Sequence, residues 1–157
     1  MGNGKAPRDA TRVLVVTAGA RTCALPIRFV SETMRPLPVE RLAGAPEYVR
    51  GLSVIRGEPL PVVDLGTLVA GESELSSGGR FVTVAAEDRR FALAVERVLG
   101  VRELGASDLQ ELPPLLRSPD AELIEAIGVA DAQLLIVLSA ARIISEEAWR
   151  TIESGLS

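Results

Sequence analysis

GLSVIRGEPLPVVDL, residues 51–65, decides the fold. It reads as two short apolar strands folded about Arg56-Gly57, with one cation at the tip and two prolines, Pro59 and Pro61, in the returning strand. A tight hairpin turn needs a residue that tolerates positive φ, and Gly57 supplies one. Proline cannot donate to a sheet ladder, so the returning strand is expected on an edge, at least locally. An arginine held on a rigid turn beside an open sheet edge is the chemistry of a docking surface. It is not the chemistry of a reaction centre.

Outward from the hairpin, the chain contains its own copy. Residues 12–35 align without a gap on residues 80–103 at a constant offset of 68, with Arg12/Arg80, Val16/Val84, Ala18/Ala86, Arg21/Arg89, Ala24/Ala92, Leu25/Leu93 and Val30/Val98 identical. The shared punctuation, strand then polar turn then strand, carries the repeat further than the identities do. Later, Pro61-Val62-Val63-Asp64-Leu65 corresponds to Ile136-Val137-Leu138-Ser139-Ala140, each an apolar strand running into a short helical turn. Asp64 and Ser139 stand at the two helix starts, where both residue types accept hydrogen bonds from orphan amides. The polar, glycine-rich stretch 71–79 separates the halves as a solvated loop.

Each half reads as five short strands: 13–18, 23–27, 30–35, 51–55 and 59–63, then 81–86, 91–95, 99–104, 127–130 and 134–138. Closing five strands into a small barrel removes most exposed edges. The expected architecture is mainly β: two pseudo-repeated five-stranded β-barrel subdomains side by side, about 12–70 and 80–144, within one domain over 12–144. Consecutive half-chains are expected to wrap one barrel each, completed by local crossover of strands. Ser118-Pro119 reads as the cap and first position of a helix running to about Ala126 and closed by Gly128. Residues 145–157 form a C-terminal helix capped by Ser145, with Ile144, Ala148, Ile152 and Leu156 as its apolar stripe. Glu146 and Glu147 are then first-turn residues favoured by the helix dipole, not an acid/base couple. Residues 1–11 read as a disordered end.

Composition narrows function. Hydrophobic residues make up 47% and charged residues 24% of 157, the profile of a folded protein with one or two small cores. Net charge is −4 and aromatics are 3%, with the basic residues scattered, which argues against nucleic acid as a partner. No apolar run is long enough to span a membrane, and the polar start has no apolar core for a signal peptide, so a cytoplasmic protein is expected. There is no histidine and a single cysteine, so neither a zinc site nor the commonest general base is available. Cys23 sits in an apolar strand and reads as a small buried hydrophobe. Gly2-Asn3-Gly4-Lys5 lacks the strand and spacing of a phosphate loop. Val62-Val63-Asp64-Leu65-Gly66-Thr67 loosely resembles the aspartic-protease element, but Leu65 takes the place of its small hydroxyl residue and Ser139 that of the second aspartate, which only a homodimer would then supply. No catalytic, cofactor or metal-binding residues are expected.

Glu32 interrupts an apolar run and is expected to meet Arg56. Such a pair either braces the barrel or positions Arg56 for a partner, and both roles are compatible.

The order Ala24-Leu25-Pro26-Ile27, Val30-Ser31-Glu32, Ala45-Pro46-Glu47-Tyr48-Val49-Arg50-Gly51, Ile55-Arg56-Gly57 and Pro61-Val62-Val63-Asp64-Leu65 resembles the CheW family of bacterial chemosensory coupling proteins. The resemblance spans about residues 12–144 and is most specific over 46–65. It implies SH3-like barrels and an adaptor that joins the cytoplasmic tip of chemoreceptors to the regulatory domain of a CheA-type histidine kinase, with no cofactor. It implies kinase contact near Val30, Glu32, Gly51, Arg56 and Gly57, and receptor contact in an inter-barrel groove lined by Leu14, Ile27, Val98 and Leu99. The chain departs from the family pattern at Ser139, at Phe91-Ala92-Leu93-Ala94-Val95-Glu96 and at Val54 of the hairpin. An alternative is a CheW-like regulatory or peptide-binding module of another signalling pathway, without receptor–kinase coupling. Its few aromatics fit a conventional peptide groove poorly.

Overall fold

The computed structural model describes residues 11–71, 79–105, 108–110, 124–130 and 133–156. Strands β1 (Thr11–Ala18), β2 (Arg21–Pro26), β3 (Val30–Met34), β4 (Val49–Ile55) and β5 (Glu58–Asp64) lead into helix α1 (Leu65–Ala70). The plan then repeats as β6 (Arg80–Ala86), β7 (Arg89–Val95), β8 (Arg97–Leu104), the two-residue β9 (Leu109–Gln110), β10 (Ile124–Ala130) and β11 (Gln133–Leu138). Helix α2 (Glu146–Leu156) closes the chain. All ten strands expected from the sequence are present, with ends shifted by a few residues. The second stops at Pro26 because Ile27–Phe29 winds into a 3-10 turn. The helix expected over 118–126 is corrected: its last three residues open β10, where Ile124 pairs with Leu138 and strand pairing overrides a cap-based expectation. The rest of that helix, residues 1–10 of the end expected over 1–11 and most of the 71–79 loop lie outside the described residues, whereas Thr11 opens β1 opposite Leu104.

The strands form two sheets in the orders β8-β1-β2-β11-β10-β9 and β3-β6-β7-β5-β4. Neither sheet is made from one half of the chain, which corrects the expectation that consecutive halves wrap separately. The leading hairpin of each half, β1–β2 or β6–β7, is donated to the barrel built from the remaining strands of the other half. Repeated sequence makes that exchange possible, because either hairpin presents nearly the same edge and the same apolar faces.

Register confirms the repeat residue by residue. Val16 pairs with Val98 and Val84 with Val30, the same two positions of the repeat read in opposite directions. Parallel pairing joins Val62 to Ala92 in one sheet and Val137 to Ala24 in the other, again equivalent positions. Bulges recur in step. Ser31 and Leu99 are the residues skipped on the third strand of each half, Arg50 and Glu125 those on the fourth. Pro59 and Pro61 pair only with β4, and β7 joins β5 from Val62 onward, so the prolines sit where the strand is locally an edge. Glu40 closes the five-stranded sheet toward a barrel, exchanging two 2.8 Å backbone hydrogen bonds with Leu52 of β4 just after β3 has ended.

Three cores follow from period-two alternation. Val13 and Val15 point into the six-stranded barrel with Ala24, Leu104, Leu135 and Val137. Ile55, Leu60, Val62, Phe81, Ala92 and Ala94 fill the five-stranded barrel. The largest core lies between them, where Leu14, Val16, Cys23 and Leu25 meet Val82, Val84, Phe91 and Leu93, with Ala148, Trp149 and Ile152 of α2. Burial lifts the Cys23 thiol to about 12, so it stays protonated and inert.

Candidate functional site

The Arg56-Gly57 hairpin projects from the five-stranded barrel, and both turn residues have positive φ, 52° and 79°. That is the paired left-handed geometry whose twist suits a two-residue hairpin. Glycine adopts it freely; Arg56 is the second left-handed residue, which the sequence reading did not anticipate. Arg56 is fixed from the side by Glu32 of β3. Its Nε donates to Glu32 Oε2 at 2.8 Å and its Nη2 to Oε1 at 2.9 Å, a fork-on-fork pair. The arginine remains 71% exposed and the glutamate 29%, so the pair holds the guanidinium in a defined orientation without hiding it. Hydrogen bonding to Arg56 lowers the Glu32 carboxyl below its ordinary value, and the same bond raises Arg56.

Glu32 is seated by its backbone. Its N–H donates to Thr83 Oγ1 at 3.1 Å, and the buried Thr83 hydroxyl donates back to the Glu32 carbonyl. A second exposed pair, Arg90 to Glu58 at 2.7 Å, lies close enough for Arg90 to help lower Glu32. Val54, two residues before Arg56, is 65% exposed. The edge is therefore an apolar side chain set among two ordered ion pairs.

Of the five residues expected here, Glu32, Arg56 and Gly57 are brought together at the surface, and Val30 lies half-buried at the start of β3. Gly51 is buried, and its role is different. At φ 145° a side chain is strained, and a Cβ there would come 1.8 Å from the Glu40 carbonyl oxygen. The glycine allows the Glu40 bridge to form, so it shapes the edge and cannot touch a partner itself.

Behind the hairpin, Arg50 Nε and Nη2 bind Asp64 Oδ2 at 2.9 and 2.8 Å, with Asp64 2% exposed. The other Asp64 oxygen accepts from the Thr67 N–H at 3.2 Å and caps α1, as expected. Both oxygens are thus committed to structure. Ser139, the equivalent position, makes no side-chain cap bond to the 3-10 turn Ala140–Arg142, which corrects its expected role. The turn is closed from the backbone instead, by the Arg142 N–H on the Ser139 carbonyl. The Arg50–Asp64 pair was missed although Arg50 stands at a bulge and Asp64 ends a strand. Their facing can be read only once the fourth and fifth strands are placed in register.

The expected groove residues are divided. Leu14 is 5% exposed within the inter-barrel core and is unreachable. Ile27 and Val98 pack half-buried against that core, and Leu99, the bulged residue of β8, is 55% exposed. The run Val13-Leu14-Val15-Val16 signals burial on both strand faces, which places Leu14 beneath the seam.

Comparison with known proteins agrees with this architecture. The CheW-like domain family matches residues 12–148. The chain is 26% identical over 137 residues to the chemotaxis protein CheW of Treponema pallidum, covering 82% of this chain and 79% of that one. It is 22% identical over 142 residues to chemotaxis protein CheW of Klebsiella aerogenes, covering 90% and 86%. The crystal structure of scaffolding protein TtCheW from Thermoanaerobacter tengcongensis superposes with a TM-score of 0.77 at 22% identity, covering 88% and 94%, which is a likeness of fold.

Proposed function

The chain belongs to the CheW-like domain family, and on that premise we propose that it is a non-catalytic adaptor coupling the cytoplasmic tips of chemoreceptors to a CheA-type histidine kinase. The observation that carries this reading is the Arg56 hairpin, an exposed cation held in one orientation by Glu32. Preorganised charge on a rigid edge suits docking, because little side-chain freedom is lost when a partner arrives. Val30, Glu32, Arg56 and Gly57, shaped from below by Gly51, form the kinase-facing edge. Ile27, Val98 and Leu99 form the receptor-facing seam with Leu14 as buried support. Such contacts are modest in area and individually weak, so assembly strength comes from multivalency. No described helix is long and apolar enough to cross a membrane. We place the protein in the cytoplasm, at receptor arrays through its partners.

An adaptor must hold two partners at once. In sedimentation with receptor cytoplasmic fragments and a CheA regulatory domain, the kinase domain is expected to co-pellet with receptor only when this chain is added. Binding of one partner that excludes the other contradicts the adaptor reading and favours a regulatory module.

A further inference from the structure

Helix α2 follows β11, a strand of the six-stranded barrel, yet the polar contacts at its start reach residues of the five-stranded one. The Ser145 N–H donates to Tyr48 Oη at 3.3 Å, and the Ser145 hydroxyl caps the helix by accepting from the Ala148 N–H at 3.1 Å. Arg89, the first residue of β7, pairs with Glu146 and lays its guanidinium 5.0 Å from the Trp149 ring centroid. At the far end, Gly155 lies so close to Leu42 that an added Cβ would come 2.6 Å from Leu42 Cδ1. The apolar face, Ala148, Trp149 and Ile152, enters the core between the barrels. An 11-residue helix is too short to persist alone in water, so this docking is what holds it.

The segment α2 grips is the base of the Arg56 hairpin. Tyr48 precedes β4 directly, and its carbonyl accepts from the Asp64 N–H at 2.7 Å where β5 ends. Tyr48 thus ties helix α2 to both strands of the hairpin at the end opposite Arg56. We propose that α2 is a strap from one barrel to the other, whose docking sets the rigidity of the β4–β5 hairpin. The proposal goes beyond the adaptor reading and depends on no partner's identity.

Hydrogen exchange on the full chain tests it, following α2, β4–β5 and, as a distant control, β8. Arg89→Ala removes an exposed ion pair together with a cation–π contact, so α2 is expected to exchange about tenfold faster. Under the proposal β4–β5 accelerates in parallel, β8 is unchanged, and Arg89→Lys recovers part of the protection. Faster exchange in α2 with β4–β5 at its wild-type rate overturns the proposal, as does an unchanged α2. If Arg89→Ala loosens every segment including β8, the milder Glu146→Gln is read by the same criterion.

Discussion

The two barrels share one backbone plan and differ in what reinforces it. In the five-stranded barrel the bulged Arg50 reaches Asp64; the equivalent positions in the six-stranded barrel are Glu125 and Ser139, which cannot make that pair. Gly51 admits the Glu40 bridge, whereas its counterpart is Ala126. Glu32 braces Arg56, whereas the residue at its position on β8 is Gly100. The exposed Ser31 and Thr33 of β3 correspond to Leu99 and Val101 of β8, exposed by 55% and 47%. Duplication preserved strand registers, and divergence put ordered charge on one edge and apolar side chains on the other. One fold thus offers two chemically different surfaces.

The largest break of this asymmetry is at Gly51. Gly51→Ala forces a Cβ onto the Glu40 carbonyl at a strained φ, and is expected to cost about 3 kcal/mol or more in chemical denaturation. Ala126→Gly, the reciprocal change, costs only about 0.5–1 kcal/mol through strand entropy. Equal losses at the two sites would mean that the Glu40 bridge contributes little.

Next is Asp64→Ser, which gives the five-stranded barrel the residue of its counterpart. Ser139 makes no side-chain cap bond at the equivalent position, so the loss reports the carboxylate's bonds to Arg50 and to the Thr67 N–H together. Breaking a buried pair costs about 3–5 kcal/mol; with Arg50 a third exposed, about 2 kcal/mol is expected, read as a lower denaturation midpoint at constant m-value. A loss below about 0.5 kcal/mol would make the pair incidental.

The smallest effect is a titration. Arg56 depresses the folded Glu32 carboxyl, so the pair's contribution is present above the ordinary glutamate value of 4.5 and is lost as pH falls through the lower folded value. Carboxyl NMR is expected to place the Glu32 midpoint below 4.5, moving up toward it in Arg56→Gln. A midpoint unmoved by that substitution would show that Arg56 does not hold Glu32 in solution. Gly100 has no such group to titrate.

Much of this was legible because its signals are local. The Arg56-Gly57 turn, the Asp64 and Ser145 caps and the apolar stripe of the last helix, except Leu156, which is 44% exposed, depend on residues within a few positions of one another. The exchange of hairpins was not legible. Alternation fixes which face of a strand is buried but not which strand lies beside it, and a repeated sequence makes self and exchanged pairing nearly degenerate. Glu32–Arg56 was found because a charge inside an apolar run demands a partner. Leu14 was expected in the groove on the family resemblance alone, and its 5% exposure follows from the two-sided burial that a continuous apolar run implies. Gly51 was expected at the kinase contact on the family resemblance, and nothing in its neighbours announces that Glu40 passes over it.

Titration of a CheA regulatory domain against wild type, Arg56→Glu, and the double swap Glu32→Arg/Arg56→Glu tests the kinase-facing hairpin most directly. If the hairpin presents its cation to the kinase, Arg56→Glu weakens binding at least about tenfold in a folded protein, and the swap restores the ion pair without restoring affinity. Wild-type affinity for Arg56→Glu, with the fold verified by its thermal transition, would contradict the account.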